Sequence, residues 1–157
     1  MKKIKLLLVD DETEFLDTLV DRLDLRDLKT DVAYNGKEAL SAVEKEEPDV
    51  IVLDVKMPEM DGIEVLQRIK KAYPHVEVII LTGHGNEQDE QRARDLGAFD
   101  YLKKPADLET LMGRIRGAFK QRMNKLEEMS MAVTFAEAGE FDTARQMMEE
   151  EEDEDQE

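Results

Sequence analysis

Through the first 118 residues, short apolar runs and helix-spaced apolar patterns take turns five times, and that alternation leaves few folds open. Ile4 to Val9 reads as a strand; Phe15, Leu16, Leu19, Val20 and Leu23 then recur at helical spacing. Asp31 to Tyr34 gives a short second strand, Asn35-Gly36 a turn, and Ala39, Leu40 and Val43 the inner side of a second helix. Pro48 stops the chain before Val50 to Leu53, a run of buried-strand character. Asp61-Gly62-Ile63-Glu64 reads as a capping box opening a helix with Val65, Leu66 and Ile69 inward. Val76 to Leu81 is a fourth strand, followed by a Thr82-Gly83-His84-Gly85 loop and a polar helix from about Glu87 to Leu96. That helix has a thin apolar stripe and should pack loosely. Ala98 to Leu102 is a fifth strand, and Leu108, Leu111, Met112 and Ile115 line a last helix. Repeated strand–helix units require parallel strands joined by right-handed crossovers. The sequence predicts an α/β chain built on a doubly wound five-stranded parallel sheet with helices on both faces.

An acid stands where the central strand must end. In Val50-Ile51-Val52-Leu53-Asp54-Val55-Lys56-Met57-Pro58, Asp54 follows the apolar run and faces out of the sheet. In open parallel sheets, ligands bind outside the C-terminal strand ends. The residues following the first, third, fourth and fifth strands, Asp10-Asp11, Asp54, Thr82 and Lys103, therefore meet at one edge. Each has an ordinary reading too: the acids as turn or helix-cap residues, Thr82 as a turn hydroxyl, Lys103 as a solvated lysine. Carboxylates with no His or Cys beside them suit a hard divalent cation such as Mg²⁺. A carboxylate beside such an ion can attack a phosphoryl group, with a hydroxyl donor and a lysine neutralising the charge on its oxygens.

Charge narrows the partners. The net charge of −17 is uneven: residues 1–118 hold 18 Lys and Arg against 26 Asp and Glu, residues 119–157 hold 4 against 13. The C-terminal part thus lacks the clustered cations that phosphate backbones require, and no direct nucleic-acid contact is expected. There is no cysteine, which is compatible with a reducing cytoplasm. The opening apolar run stops at Asp10-Asp11-Glu12, too short for a signal peptide, and no stretch approaches a membrane span.

Four segments in this order and spacing, Leu8-Val9-Asp10-Asp11-Glu12, Leu53-Asp54-Val55-Lys56-Met57-Pro58-Glu59-Met60-Asp61-Gly62, Leu81-Thr82-Gly83-His84 and Lys103-Lys104-Pro105, resemble the receiver domain of two-component response regulators. The resemblance covers residues 3 to about 118 and implies a flavodoxin-like sheet of order 2-1-3-4-5. It implies Asp54 as phosphoacceptor, Asp11 as direct Mg²⁺ ligand, Asp10 as a ligand through water, and the Lys56 carbonyl as a further ligand. It implies that Lys103 holds the phosphoryl group beside a cis Lys104-Pro105 bond, with Thr82 and Tyr101 as the moving pair of the switch. Lys56 and His84 resemble the family's tuners of phosphate lifetime, and Ala106 stands where many relatives carry Phe.

Beyond residue 118, Phe119, Met123, Leu126, Met129 and Val133 continue the stripe of the last helix to about Ala138, where Gly139 breaks it. Phe141, Ala144, Met147 and Met148 predict a second short helix folding back by residue 148, and the string from Phe135 to Ala144 resembles the centre of a tetratricopeptide repeat. Eight acids in the nine residues Glu149 to Glu157 predict a disordered end. The expectation is a stand-alone cytoplasmic response regulator that takes its phosphoryl group from a sensor histidine kinase or histidine phosphotransfer protein. Output would go to a downstream protein, with pairing of two copies through the last helix and extension left open. Its rivals are a phosphorelay intermediate, a phosphorylation-independent adaptor, and an Mg²⁺ phosphatase. Phosphatases that form an aspartyl phosphate carry a second Asp two residues on, where this chain has Lys56.

Overall fold

Apolar runs flanked by amphipathic helices leave a sheet no stable place but the middle of three layers, and that is the arrangement found. The computed structural model describes residues 3–137, without the side chains of Leu25 and residues 133–137. The order is β1 (Ile4–Val9), α1 (Thr13–Leu23), a 3₁₀ turn (Asp24–Arg26), β2 (Leu28–Ala33), α2 (Gly36–Lys45), β3 (Val50–Leu53), α3 (Gly62–Ala72), β4 (Glu77–Thr82), α4 (Glu87–Asp95), β5 (Asp100–Lys103) and α5 (Leu108–Glu137). The five strands pair in parallel in the order β2-β1-β3-β4-β5. The expected fold is the observed one.

Strand side chains alternate between the two faces, so each strand feeds two cores. Leu7, Val9, Ile51, Leu53, Val78 and Ile80 pack with Val43 of α2, Leu66 and Ile69 of α3 and Ala93 of α4. Leu6, Leu8, Val50, Val52, Ile79 and Leu81 pack on the other face with Leu16, Leu19 and Leu23 of α1 and Leu111, Met112 and Ile115 of α5. Strands buried on both sides read as continuous apolar runs, which is why β3 and β4 are legible.

Several details differ from the sequence reading; β4 and β5 run over Glu77–Thr82 and Asp100–Lys103, each shifted toward the C-terminus of its expected run. The edge strand β2 starts at Leu28, three residues before its expected start, because exposed Lys29 and Asp31 interrupt the apolar pattern by which a strand is read. At α3, Asp61 caps the Glu64 amide at 2.9 Å, but Glu64 does not return the bond; it pairs with Arg68 along the helix. The reciprocal capping box lies instead at α4, between Asn86 and Asp89. Ala93 is the one buried residue of α4, as its thin stripe requires.

A polar anchor at the N-terminal sheet edge was not foreseen. Arg122 of α5, 6% exposed, donates from Nε to Asp49 at 2.9 Å and pairs with Glu47 at 3.0 Å. The other Asp49 oxygen accepts the Lys5 amide at 2.9 Å. Residues 1–122 form one unit and residues 123–157 a second. α5 is described as far as Glu137; the expected end near Ala138, the second short helix, most of the repeat-like string and the acidic end lie outside the described residues. Removing one partner of a buried ion pair leaves a charge uncompensated. Arg122→Ala is therefore expected to cost about 3 kcal/mol in urea unfolding, whereas Met129→Ala, at a side chain 48% exposed, should stay within about 0.5 kcal/mol.

Candidate functional site

The parallel register carries four chain ends to one edge. Val9 is level with Leu53, and the pairing continues one step, with the Asp54 amide donating to the Val9 carbonyl at 3.0 Å and the Asp10 amide to the Ala33 carbonyl at 3.2 Å. Thr82 is level with Lys103, and the Lys104 amide donates to the Thr82 carbonyl at 2.9 Å. Asp10, Asp54 and Thr82 are buried, at 2%, 1% and 1% exposure. The chain folds tightly beneath them: a side chain at Gly62 would place its Cβ 2.0 Å from the Asp54 carbonyl oxygen, so only glycine fits there.

Neither Asp10 nor Asp11 caps α1, whose N-cap is Glu12 with no side-chain hydrogen bond. Asp10 accepts the Glu12 amide at 3.0 Å on one oxygen and the Lys104 ammonium at 2.5 Å on the other. Lys103, expected to enter the site, is exposed. Side-chain alternation explains the correction: Lys103 shares its sheet face with Tyr101, whereas Lys104 follows Leu102 onto the α1 face, where Asp10 lies. Lys104 was within reach of the sequence, because counting faces back from Leu102 selects it. The Lys104-Pro105 bond is cis, as expected.

Asp54 is the least compensated group. Both carboxylate oxygens are buried with no hydrogen-bond partner among the described residues. Burial raises its pKa above the usual carboxylate value; the Thr82 hydroxyl opposes this, the Asp10 charge reinforces it, Lys104 opposes and Asp11 reinforces it. Burial depresses the Lys104 ammonium, but the Asp10 carboxylate bonded to it, with Asp54 and Glu12, outweighs burial and raises it overall.

Asp10, Glu12 and Asp54 each offer a carboxylate oxygen within 4.8 Å of the others. Asp11, expected as the direct metal ligand, is exposed and outside this group, while the longer Glu12 reaches into it. An all-oxygen set containing two unpartnered buried oxygens fits a hard divalent cation such as Mg²⁺. Tyr101 turns inward and is 5% exposed, with a buried hydroxyl that has no hydrogen-bond partner among the described residues. It sits so close to Gly85 that a Cβ there would fall 1.7 Å from its oxygen. Lys56 and His84 are exposed at the rim. Beside the site, Ala106 leaves a groove lined also by Phe15, Leu19, Leu81, Leu108 and Leu111.

The profile of the response regulator receiver domain matches residues 6–116, and the chain belongs to that family, the receivers of two-component signalling. Among curated relatives it is 33% identical over 135 residues to the uncharacterised transcriptional regulatory protein YkoG of Bacillus subtilis, covering 86% of this chain and 59% of the relative. It is 31% identical over 134 residues to the response regulator MprA of Mycobacterium avium, covering 85% of this chain and 59% of that protein. The chain thus spans a little over half the length of these relatives. Among solved structures, a receiver domain from Clostridium thermocellum superposes with TM-score 0.73 at 34% identity, covering 76% of this chain and 97% of that one. A CheY-like receiver from Methanospirillum hungatei gives 0.76 at 26%, covering 79% and 99%. No described helix is long and apolar enough to cross a membrane.

The raised Asp54 pKa gives a signed prediction. The folded state keeps the Asp54 proton to higher pH than the unfolded state, whose carboxyl titrates near 3.8, so stability falls as pH rises through that window. Asp54→Asn should match the parent in stability below about pH 3.8 and exceed it above the raised pKa, by on the order of 1 kcal/mol. Urea unfolding of both proteins across that range checks this.

Proposed function

We propose that this chain accepts a phosphoryl group on Asp54 from a phosphohistidine of a sensor histidine kinase or histidine phosphotransfer protein. The observation that carries this reading is the buried, unpartnered Asp54 carboxylate at the meeting point of four strand ends. In the transfer, an Asp54 oxygen forms the new O–P bond as the histidine N–P bond breaks, and the imidazole leaves with the bonding pair. Asp54, Asp10 and either Glu12 or Asp11, with the Lys56 carbonyl, would hold a Mg²⁺ ion, which when bound would neutralise charge on the phosphoryl oxygens. Lys104, in the role first given to Lys103, leaves Asp10 to pair with one phosphoryl oxygen, and the Thr82 hydroxyl donates to another. The product is an acyl phosphate, a mixed anhydride that carries more negative charge than the carboxylate it replaces, so it depends on these donors and on the cation.

The phosphorylated state shifts an existing equilibrium of the β4–α4–β5 region, through Thr82 and Tyr101. Support for movement there is the sparse burial of α4 and the unpaired Tyr101 hydroxyl. Lys56 and His84, exposed beside Asp54 and Thr82, set how easily water reaches the phosphoryl group. Output is by protein contact. The supporting observation is the acidity of residues 119–157, which disfavours a phosphate backbone, although the relatives named above include a transcriptional regulator.

Incubation with acetyl phosphate tests the chemistry. Label should appear with Mg²⁺ and be absent with chelator or in Asp54→Asn. Thr82→Ala and Lys104→Met should each label at least about tenfold more slowly, and Lys103→Met at the parental rate. Equal loss in the two lysine variants, or label persisting without Asp54, would overturn the assignment.

A further inference from the structure

Lys104 has a partner that the acid pocket does not account for. Its ammonium lies 4.1 Å from the centroid of the Phe15 ring, while Asp10 holds it at 2.5 Å and Glu12 lies 3.6 Å away. All three partners come from the short segment Asp10–Phe15, which leads from the end of β1 into α1, and the Lys104 side chain is only 13% exposed. We propose that Phe15 is a positioning residue for Lys104, holding the ammonium at the mouth of the acid pocket through its ring face. The inference rests on the role given to Lys104 above.

The ring does what another acid in its place would not. A cation over an aromatic face is attracted by the ring quadrupole, and the attraction grows when the site is shielded from water. Phe15 therefore retains the ammonium without adding negative charge to a pocket where Asp10 and Asp11 already oppose ionisation of Asp54. Asp10 and Glu12 are also the groups a divalent cation would engage. Of the three partners, the ring is the one for which such a cation does not compete. Phe15 keeps Lys104 in place when its carboxylate partners are drawn elsewhere, so that the ammonium is ready for a phosphoryl oxygen.

The surroundings permit substitution. Phe15 and Ala106 border the same groove, so the ring is not locked into the core and a residue of different shape has room beside it. Phe15→Leu keeps apolar bulk but has no ring face; Phe15→Trp has a stronger one.

The test uses the full chain and needs no phosphoryl transfer for its first arm. In proton–carbon NMR spectra assigned by Lys104→Met, the Lys104 ε-methylene should be shifted upfield by the ring current, lose that shift in Phe15→Leu and keep it in Phe15→Trp. In acetyl phosphate labelling, Phe15→Leu should slow the reaction about fivefold, Phe15→Trp should restore it, and in the Lys104→Met background Phe15→Leu should change nothing further. An unshifted Lys104 methylene, or a Phe15→Leu penalty that persists without Lys104, would overturn the proposal. Absence of label in the parent protein would sink the phosphoacceptor reading instead, and the NMR arm would still decide the placement of Lys104.

Discussion

A carboxylate buried to 1% exposure with neither oxygen hydrogen-bonded is the group around which this structure is arranged. Such a group is costly, since burial disfavours its charge and the neighbouring Asp10 and Asp11 add to the cost. It persists because the rest of the fold determines its place: β3 is covered on both faces, its end is tied to β1 by the Asp54 amide, and the chain beneath it closes on Gly62. The stability for this comes from the two apolar cores, and the cost falls at the C-terminal edge of the sheet.

The same edge manages its charges by sharing. Lys104 is held by Asp10, with Glu12 and the Phe15 ring around it, and this leaves Asp54 uncovered. These contacts tie the end of β5 to the segment that leads from β1 into α1. On the opposite side of Thr82, Tyr101 occupies space that exists because residue 85 is glycine. Asp54 and the packing under α4 are thus separated by one buried hydroxyl residue, Thr82.

At the far edge of the sheet, Arg122 and Asp49 give the opposite solution for buried charge. There the ions are paired and hydrogen-bonded, and they fix the register of α5 against the starts of β1 and β3. The paired cluster holds the scaffold, whereas the Asp54 carboxylate has no hydrogen-bond partner among the described residues. The curated relatives run well beyond the length matched here, so shared receiver architecture does not carry their outputs with it.

Five parallel strands and the acids at their ends were legible because doubly buried strands are continuous apolar runs and parallel crossovers admit few topologies, while the strand order 2-1-3-4-5 came from the family resemblance. Asp54, Asp10 and Thr82 follow from that reading, since a residue just past such a strand has one place to go. Which lysine enters was decided by the pleat: Lys103 and Lys104 are adjacent in sequence but stand on opposite faces, and Lys104 follows Leu102 onto the face where Asp10 lies. Glu12 over Asp11 in the acid group, the Phe15 ring under Lys104 and the Arg122 anchor are likewise tertiary outcomes. Each depends on the reach and direction of a side chain across elements distant in sequence, and periodicity along the chain carries no information about that distance.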